Sequence, residues 1–121
     1  MYASARDWAR LGLLYLKDGV WNGERVLPEG WVEYTTTPAP ADPKKSYGAH
    51  FWLQIPEEYR SANANLPADA YHAVGHEGQF VTIVPSREAV IVRLGHTRYP
   101  NIWDQSAFVL EVLRALDRSG Q

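Results

Sequence analysis

Apolar residues in the first segment recur at helical spacing: Trp8, Leu11, Leu14 and Tyr15 fall on one face. Ser4 followed by Asp7 has the form of a capping box with Asp in the usual place of Glu. Together they predict a helix from about Ala5 to Lys17. Gly19 fits the position just past its end, and Asn22-Gly23 between Val20-Trp21 and Arg25-Val26-Leu27 predicts a type I′ turn in a very short hairpin. Pro28 is placed for the first turn of a second, shorter helix that carries Trp31, Val32 and Tyr34 and ends before Pro38. Pro38 to Lys45 is loop, aromatic-rich Tyr47 to Gln54 is a strand, and Pro56 to Asp69 is a surface excursion long enough to cover something.

From Ala70 the pattern turns to β. Tyr71–Val74, Phe80–Val84 and Ala89–Leu94 read as three antiparallel strands, the last two joined by a turn at Pro85-Ser86-Arg87-Glu88. Asp104 caps a final helix whose stripe is Val109, Leu110, Val112, Leu113 and Leu116. The order implies an α+β class: an antiparallel sheet of about four strands with helices packed on it, in one domain over residues 1–121. Ala89–Leu94 is apolar almost without alternation, as in a strand covered on both faces, yet only one long helix lies nearby in sequence. Part of the sheet or its cover is therefore expected to lie outside this chain.

Composition narrows the function classes. The 121 residues are 45% hydrophobic and 12% aromatic, enough for a core. Twelve basic against fourteen acidic residues, with no basic block, leave no footprint for nucleic acid. No cysteine is present, which excludes a disulfide, a thiolate nucleophile and a Cys-containing zinc site but leaves localisation open. Leu11 to Leu16 is too short an apolar run for a membrane segment, and Met1 to Asp7 does not have the form of a signal peptide.

The stretch Gly75-His76-Glu77-Gly78-Gln79 holds the candidate chemistry. Glycine within a strand weakens packing and marks a bulge or the close approach of a ligand or backbone. The imidazole of His76 suits acid–base work, but on a strand His76 and Glu77 would point to opposite faces. Glu77 then reads as solvated or paired with an arginine such as Arg93. His72 and His76 on one strand would stand about 13 Å apart at ~3.3 Å per residue, too far to share a metal ion. Neither metal nor cofactor is expected. Trp8, Trp31 and Tyr15 fall at helical core positions, whereas Trp52 and Tyr71 are the candidates for a pocket wall.

Five segments in order carry a resemblance: Ser4-Ala5-Arg6-Asp7-Trp8, Gly19-Val20-Trp21-Asn22-Gly23, Leu27-Pro28-Glu29-Gly30-Trp31, Tyr47-Gly48 with Phe51-Trp52, and Gly75-His76-Glu77-Gly78-Gln79. The chain resembles the C-terminal third of the serine β-lactamase-related hydrolases, which include class C β-lactamases, family VIII esterases and 6-aminohexanoate-dimer hydrolases. The last are most similar in the Gly-x-x-Gly-Gln segment. The resemblance implies a partial β-lactamase/transpeptidase-like fold and acyl transfer from a small ester or amide substrate. The family's Ser-x-x-Lys motif has no match, since lysine occurs only at Lys17, Lys44 and Lys45. Tyr99-Pro100-Asn101 matches Tyr-x-Asn formally but lies after the third motif instead of before it. That third motif, Lys-Thr-Gly in β-lactamases, falls on Ala73-Val74-Gly75, where neither Ala nor Val can replace the lost charge and hydroxyl. The resemblance thus implies a backbone role: Gly75 permits close approach, and the N–H of His76 forms half of an oxyanion hole, with Trp52, Tyr71 and Glu77 toward substrate. The chain is expected to be inactive alone and to meet substrate only with an absent N-terminal part. The alternative is a non-catalytic binding module that forms homo-oligomers through an exposed sheet edge.

Overall fold

The computed structural model describes residues 2–120; Met1 and Gln121, the two ends of the expected domain, lie outside them. Helix α1 spans Ala5–Leu16. Its capping box is formed: Asp7 N–H donates to Ser4 Oγ at 3.1 Å, and Ser4 N–H donates to Asp7 Oδ2 at 3.0 Å. Strands β1 (Val20–Trp21) and β2 (Glu24–Arg25) pair antiparallel around Asn22 and Gly23, at φ +49° and +79° as a type I′ turn requires. Helix α2 covers only Trp31–Thr35. Pro28 does not lie in its first turn: its carbonyl accepts the Trp31 N–H at 3.0 Å in a turn that precedes the helix, because Gly30 at φ +82° interrupts the helical path.

The Tyr47–Gln54 segment forms bridges instead of the expected strand. Tyr47 faces Trp52, and Trp52 faces His72, exchanging two backbone hydrogen bonds of 2.8 Å with it. His50 at φ +70° curls the segment, and a Cβ on Gly48 would run into the Thr35 carbonyl. The sheet proper is β3 (Tyr71–Gly75), β4 (Gln79–Val84) and β5 (Ala89–Arg93), antiparallel in that order.

Alternation along β4 sends its side chains into two cores. Val81 and Ile83 pack with Trp8, Tyr15, Phe51 and Tyr71 on the α1 side. Val84 joins Ala89, Ile91, Val109 and Leu113 on the side of helix α3 (Gln105–Ser119). Each such side chain taken fully from water contributes about 1.5–3 kcal/mol. Both faces of the central strand and of β5 are thus covered from within the chain, which corrects the expectation that cover for these faces lies outside it.

Asp104 caps α3, accepting the Ala107 N–H at 2.9 Å. It also accepts the hydroxyls of Ser106 and Ser61, while Ser61 N–H donates to Ser106 Oγ at 2.9 Å. The excursion after Pro56 is therefore tied to the start of α3.

Candidate functional site

Gly75 pairs with Gln79 across the β3–β4 ladder, so His76-Glu77-Gly78 is a three-residue hairpin turn. This corrects the strand expected there, and with it the placing of His76 and Glu77 on opposite faces and the strand spacing of His72 and His76. Glu77 at φ +58° and Gly78 at φ +82° reverse the chain. Glycine is favoured at 78 on two counts. Besides its φ, a Cβ there would come within 3.2 Å of Arg93 Nη1 and 3.3 Å of Trp103 Cβ. At Gly75 a Cβ would meet nothing nearer than Gln79 Cβ at 3.5 Å, an ordinary contact.

The His76 side chain is 87% exposed, with Nε2 3.4 Å from Glu77 Oε1. The Glu77 carboxylate also lies 3.6 Å from Arg98 Nε, so its arginine is Arg98 and not Arg93. Arg93 instead binds backbone. It donates to the carbonyls of Gly78 at 2.9 Å, Gly95 at 3.2 Å and Glu77 at 3.4 Å, and to Thr97 Oγ1 at 2.7 Å. Its guanidinium carbon stands 4.0 Å from the centroid of the Trp103 ring. Thr97 N–H closes the assembly on the Glu77 carbonyl at 2.9 Å.

Behind Trp103 runs a buried polar chain whose direction is set by its donor-only indole. Trp103 Nε1 donates to Gln105 Oε1 at 2.8 Å, which leaves the Gln105 amide NH₂ to donate to Thr82 Oγ1 at 3.0 Å. Thr82 Oγ1 also meets His72 Nδ1 at 2.8 Å, which ends the chain on the buried imidazole. Thr82, Gln105 and His72 are all buried. Burial lowers the His72 pKa to about 4, so the ring is neutral at pH 7.

Trp52 and Tyr71 lie toward the other end of the strand. Tyr71 begins β3, is 3% exposed and packs edge-on against Phe51 at 5.4 Å between centroids. Its hydroxyl is buried with no hydrogen-bond partner among the described residues. Burial, with Tyr15, Asp18 and Asp69 nearby, raises the pKa of that hydroxyl. Tyr71 lines a cleft of about 850 Å³ with Tyr15, Asp18, Arg60 and Asp69. Trp52 stacks edge-on with Tyr47 and lines a separate hollow of about 200 Å³. The structure brings Gly75, His76 and Glu77 together and leaves Tyr71 about 13 Å along the strand at ~3.3 Å per residue.

The sequence reading missed Arg93 as a backbone ligand, and Thr82, Trp103 and Gln105 altogether. Thr82 alone left a signal, a polar residue inside the apolar run Phe80–Val84. No group of three or more His, Asp or Glu that could hold a metal occurs among the described residues, and no described helix is long and apolar enough to cross a membrane.

No family profile matches the chain. Over 94% of its length it is 31% identical to a 6-aminohexanoate-dimer hydrolase of Paenarthrobacter ureafaciens, of which it spans 30%. It is 26% identical, over 77% of its length, to an uncharacterised protein of Alkalihalophilus pseudofirmus, of which it spans 29%. A solved structure assigned to the 6-aminohexanoate-dimer hydrolases, from Bacillus anthracis, superposes with a TM-score of 0.66 at 22% identity, covering 96% of this chain and 30% of that one. This last likeness establishes the fold. The chain spans about a third of the length of the relatives it matches.

Proposed function

We propose, from the premise that the chain belongs to the β-lactamase-related hydrolases and corresponds to the C-terminal part of a 6-aminohexanoate-dimer hydrolase, that it forms one wall of an acyl-transfer site for ester or amide bonds. In this reading a serine outside the 121 residues attacks the substrate carbonyl. The chain offers the backbone N–H of His76 to the oxygen that becomes negative, and Gly75 leaves room for the substrate against β3. Glu77, fixed between His76 and Arg98, faces the rim of the same turn. With no Ser-x-x-Lys of its own, the chain is inactive alone.

The observation that carries this reading is the contrast between the two glycines. Packing and φ both favour glycine at 78, whereas nothing among the described residues crowds Gly75. A glycine without an internal reason answers to something outside, and substrate is the simplest occupant.

The test splices this chain into the Paenarthrobacter enzyme in place of the matching 30%. Hydrolysis of an amide substrate should be retained. His76→Ala should leave kcat within a few-fold, whereas His76→Pro, which deletes the N–H, should lower it by about 10²–10³. Gly75→Ala should lower activity without lowering the melting temperature. A spliced enzyme equally impaired by His76→Ala and His76→Pro would sink the backbone role, and fluorophosphonate labelling of a serine in the chain alone would sink its inactivity.

A second reading has one observation behind it: the outer edge of β5 has no strand partner among the described residues. An unpaired edge can recruit a second copy.

A further inference from the structure

We propose that Arg93 is the positioning residue of the 76–78 turn, fixing its backbone from beneath through a platform anchored in the core. The inference rests on the reading that the turn's backbone faces substrate, and adds to it what holds that backbone still.

Arg93 ends β5 and pairs with Phe80, one residue into β4, so its side chain rises directly under the turn. One nitrogen, Nη1, reaches three carbonyls on two separate segments: Glu77 and Gly78 in the turn, and Gly95 in the connection that follows β5. The other, Nη2, takes Thr97 Oγ1, and Thr97 N–H returns to the Glu77 carbonyl. Nη1 carries two N–H groups, so the long 3.4 Å contact to Glu77 shares a hydrogen with a neighbour; the planar fork aims these donors together, whereas an ammonium on a flexible stem cannot hold the same geometry. Peptide planarity makes a pinned carbonyl fix the N–H across the same bond. The Glu77 and Gly78 carbonyls therefore set the N–H groups of Gly78 and Gln79, and Gln79 Nε2 on the His76 carbonyl at 3.0 Å sets that of Glu77, while the His76 N–H shares its peptide with Gly75 at the end of β3.

The guanidinium is itself held. Its face lies on Trp103, whose indole is tied through Gln105 and Thr82 to buried His72. Arg93 and Trp103 also lie against Gly78, so that a Cβ there would be a tight fit, at 3.2 Å from Arg93 Nη1 and 3.3 Å from Trp103 Cβ. The close packing at Gly78 is thus a mark of how near the platform stands to the turn.

The experiment uses the chain itself. In Arg93→Met, hydrogen exchange at the Thr97 amide should accelerate about tenfold, and the Gly78 amide resonance should shift or split, while exchange at Thr82 and Ile83 in the middle of β4 stays as in wild type. Arg93→Lys should recover only part of the effect, and non-denaturing guanidinium added to Arg93→Ala should restore the Gly78 resonance. Thr97→Val, which keeps Arg93, should move the same signals less. If Thr97 exchange and the Gly78 resonance are unchanged in both Arg93→Met and Thr97→Val, the proposal is overturned. In the spliced enzyme Arg93→Lys should lower kcat with KM unchanged. A turn that loosens while kcat holds would confine Arg93 to anchoring the turn and overturn its part in positioning the backbone that meets substrate.

Discussion

At the residue scale the strongest internal demand is placed on His72, a neutral imidazole taken out of water beside Thr82. Its folded pKa of about 4 lies below the ordinary 6.5, so the unfolded chain binds a proton that the native chain refuses between those values. Stability from this group is unaffected above pH 6.5 and falls as pH drops from 6.5 to about 4, by about 3 kcal/mol at ~1.36 kcal/mol per unit. Asp7 and Asp42 have pKa values lowered chiefly by backbone hydrogen bonds from Ser4 and Ser46. Asp104 is lowered as well, since hydrogen bonds from Ser106 and Ser61 outweigh its burial. These carboxylates weaken the fold only below the ordinary 3.8, which separates the two windows. Urea midpoints should therefore fall between about pH 7 and about pH 4.5, and His72→Gln should flatten that slope. An unchanged slope in the variant would remove His72 as its source. The sequence showed a histidine on a strand and a threonine within an apolar run; their meeting depends on the β3–β4 register and on Gln105 arriving from another element.

Elements whose signals are local were legible, and those whose ends are set from elsewhere were not. Helices α1 and α3 carry their caps within three residues, Ser4 with Asp7 and Asp104 with Ala107. The 76–78 turn was hidden because Glu77 takes a left-handed φ that Asn, Asp or Gly would have announced. The Tyr47–Gln54 strand failed because Gly48 closes against the Thr35 carbonyl, a contact with no trace in local periodicity. The role of Asp104 likewise extends beyond its helix. It takes the Ser61 hydroxyl as well as the α3 N–H, so Asp104→Ala should cost about 1–2 kcal/mol and also free the excursion after Pro56. Limited proteolysis near residues 61–69 should speed up in that variant. A loss of stability without faster cleavage there would confine Asp104 to capping.

At the scale of the whole molecule, the α+β class and the order of elements could be read from hydrophobic periodicity, because α1 and α3 cover opposite faces of one short sheet. The site could be read only in part: Gly75 and His76 as a backbone position, with the platform beneath them invisible to spacing. What completes the sheet lies in the edges. Trp52 bridges to the outer side of β3, but no described strand pairs with the outer side of β5. Edge amides without partners can take strands from other molecules; Val90 and Val92 of β5 pack half-buried on the α1 side, so what stands open is the backbone edge itself. The isolated chain should therefore associate as its concentration rises, with amides of β5 gaining exchange protection while those of β3 do not. Sedimentation across a wide concentration range, with exchange measured at both ends, separates the outcomes. Association that protects β5 supports pairing at this edge. Association that leaves β5 exchanging freely moves the contact to other apolar surface, such as exposed Trp31 and Tyr34 on α2. A monomer throughout means that the fold tolerates this edge unpaired, and the module reading loses its one structural support.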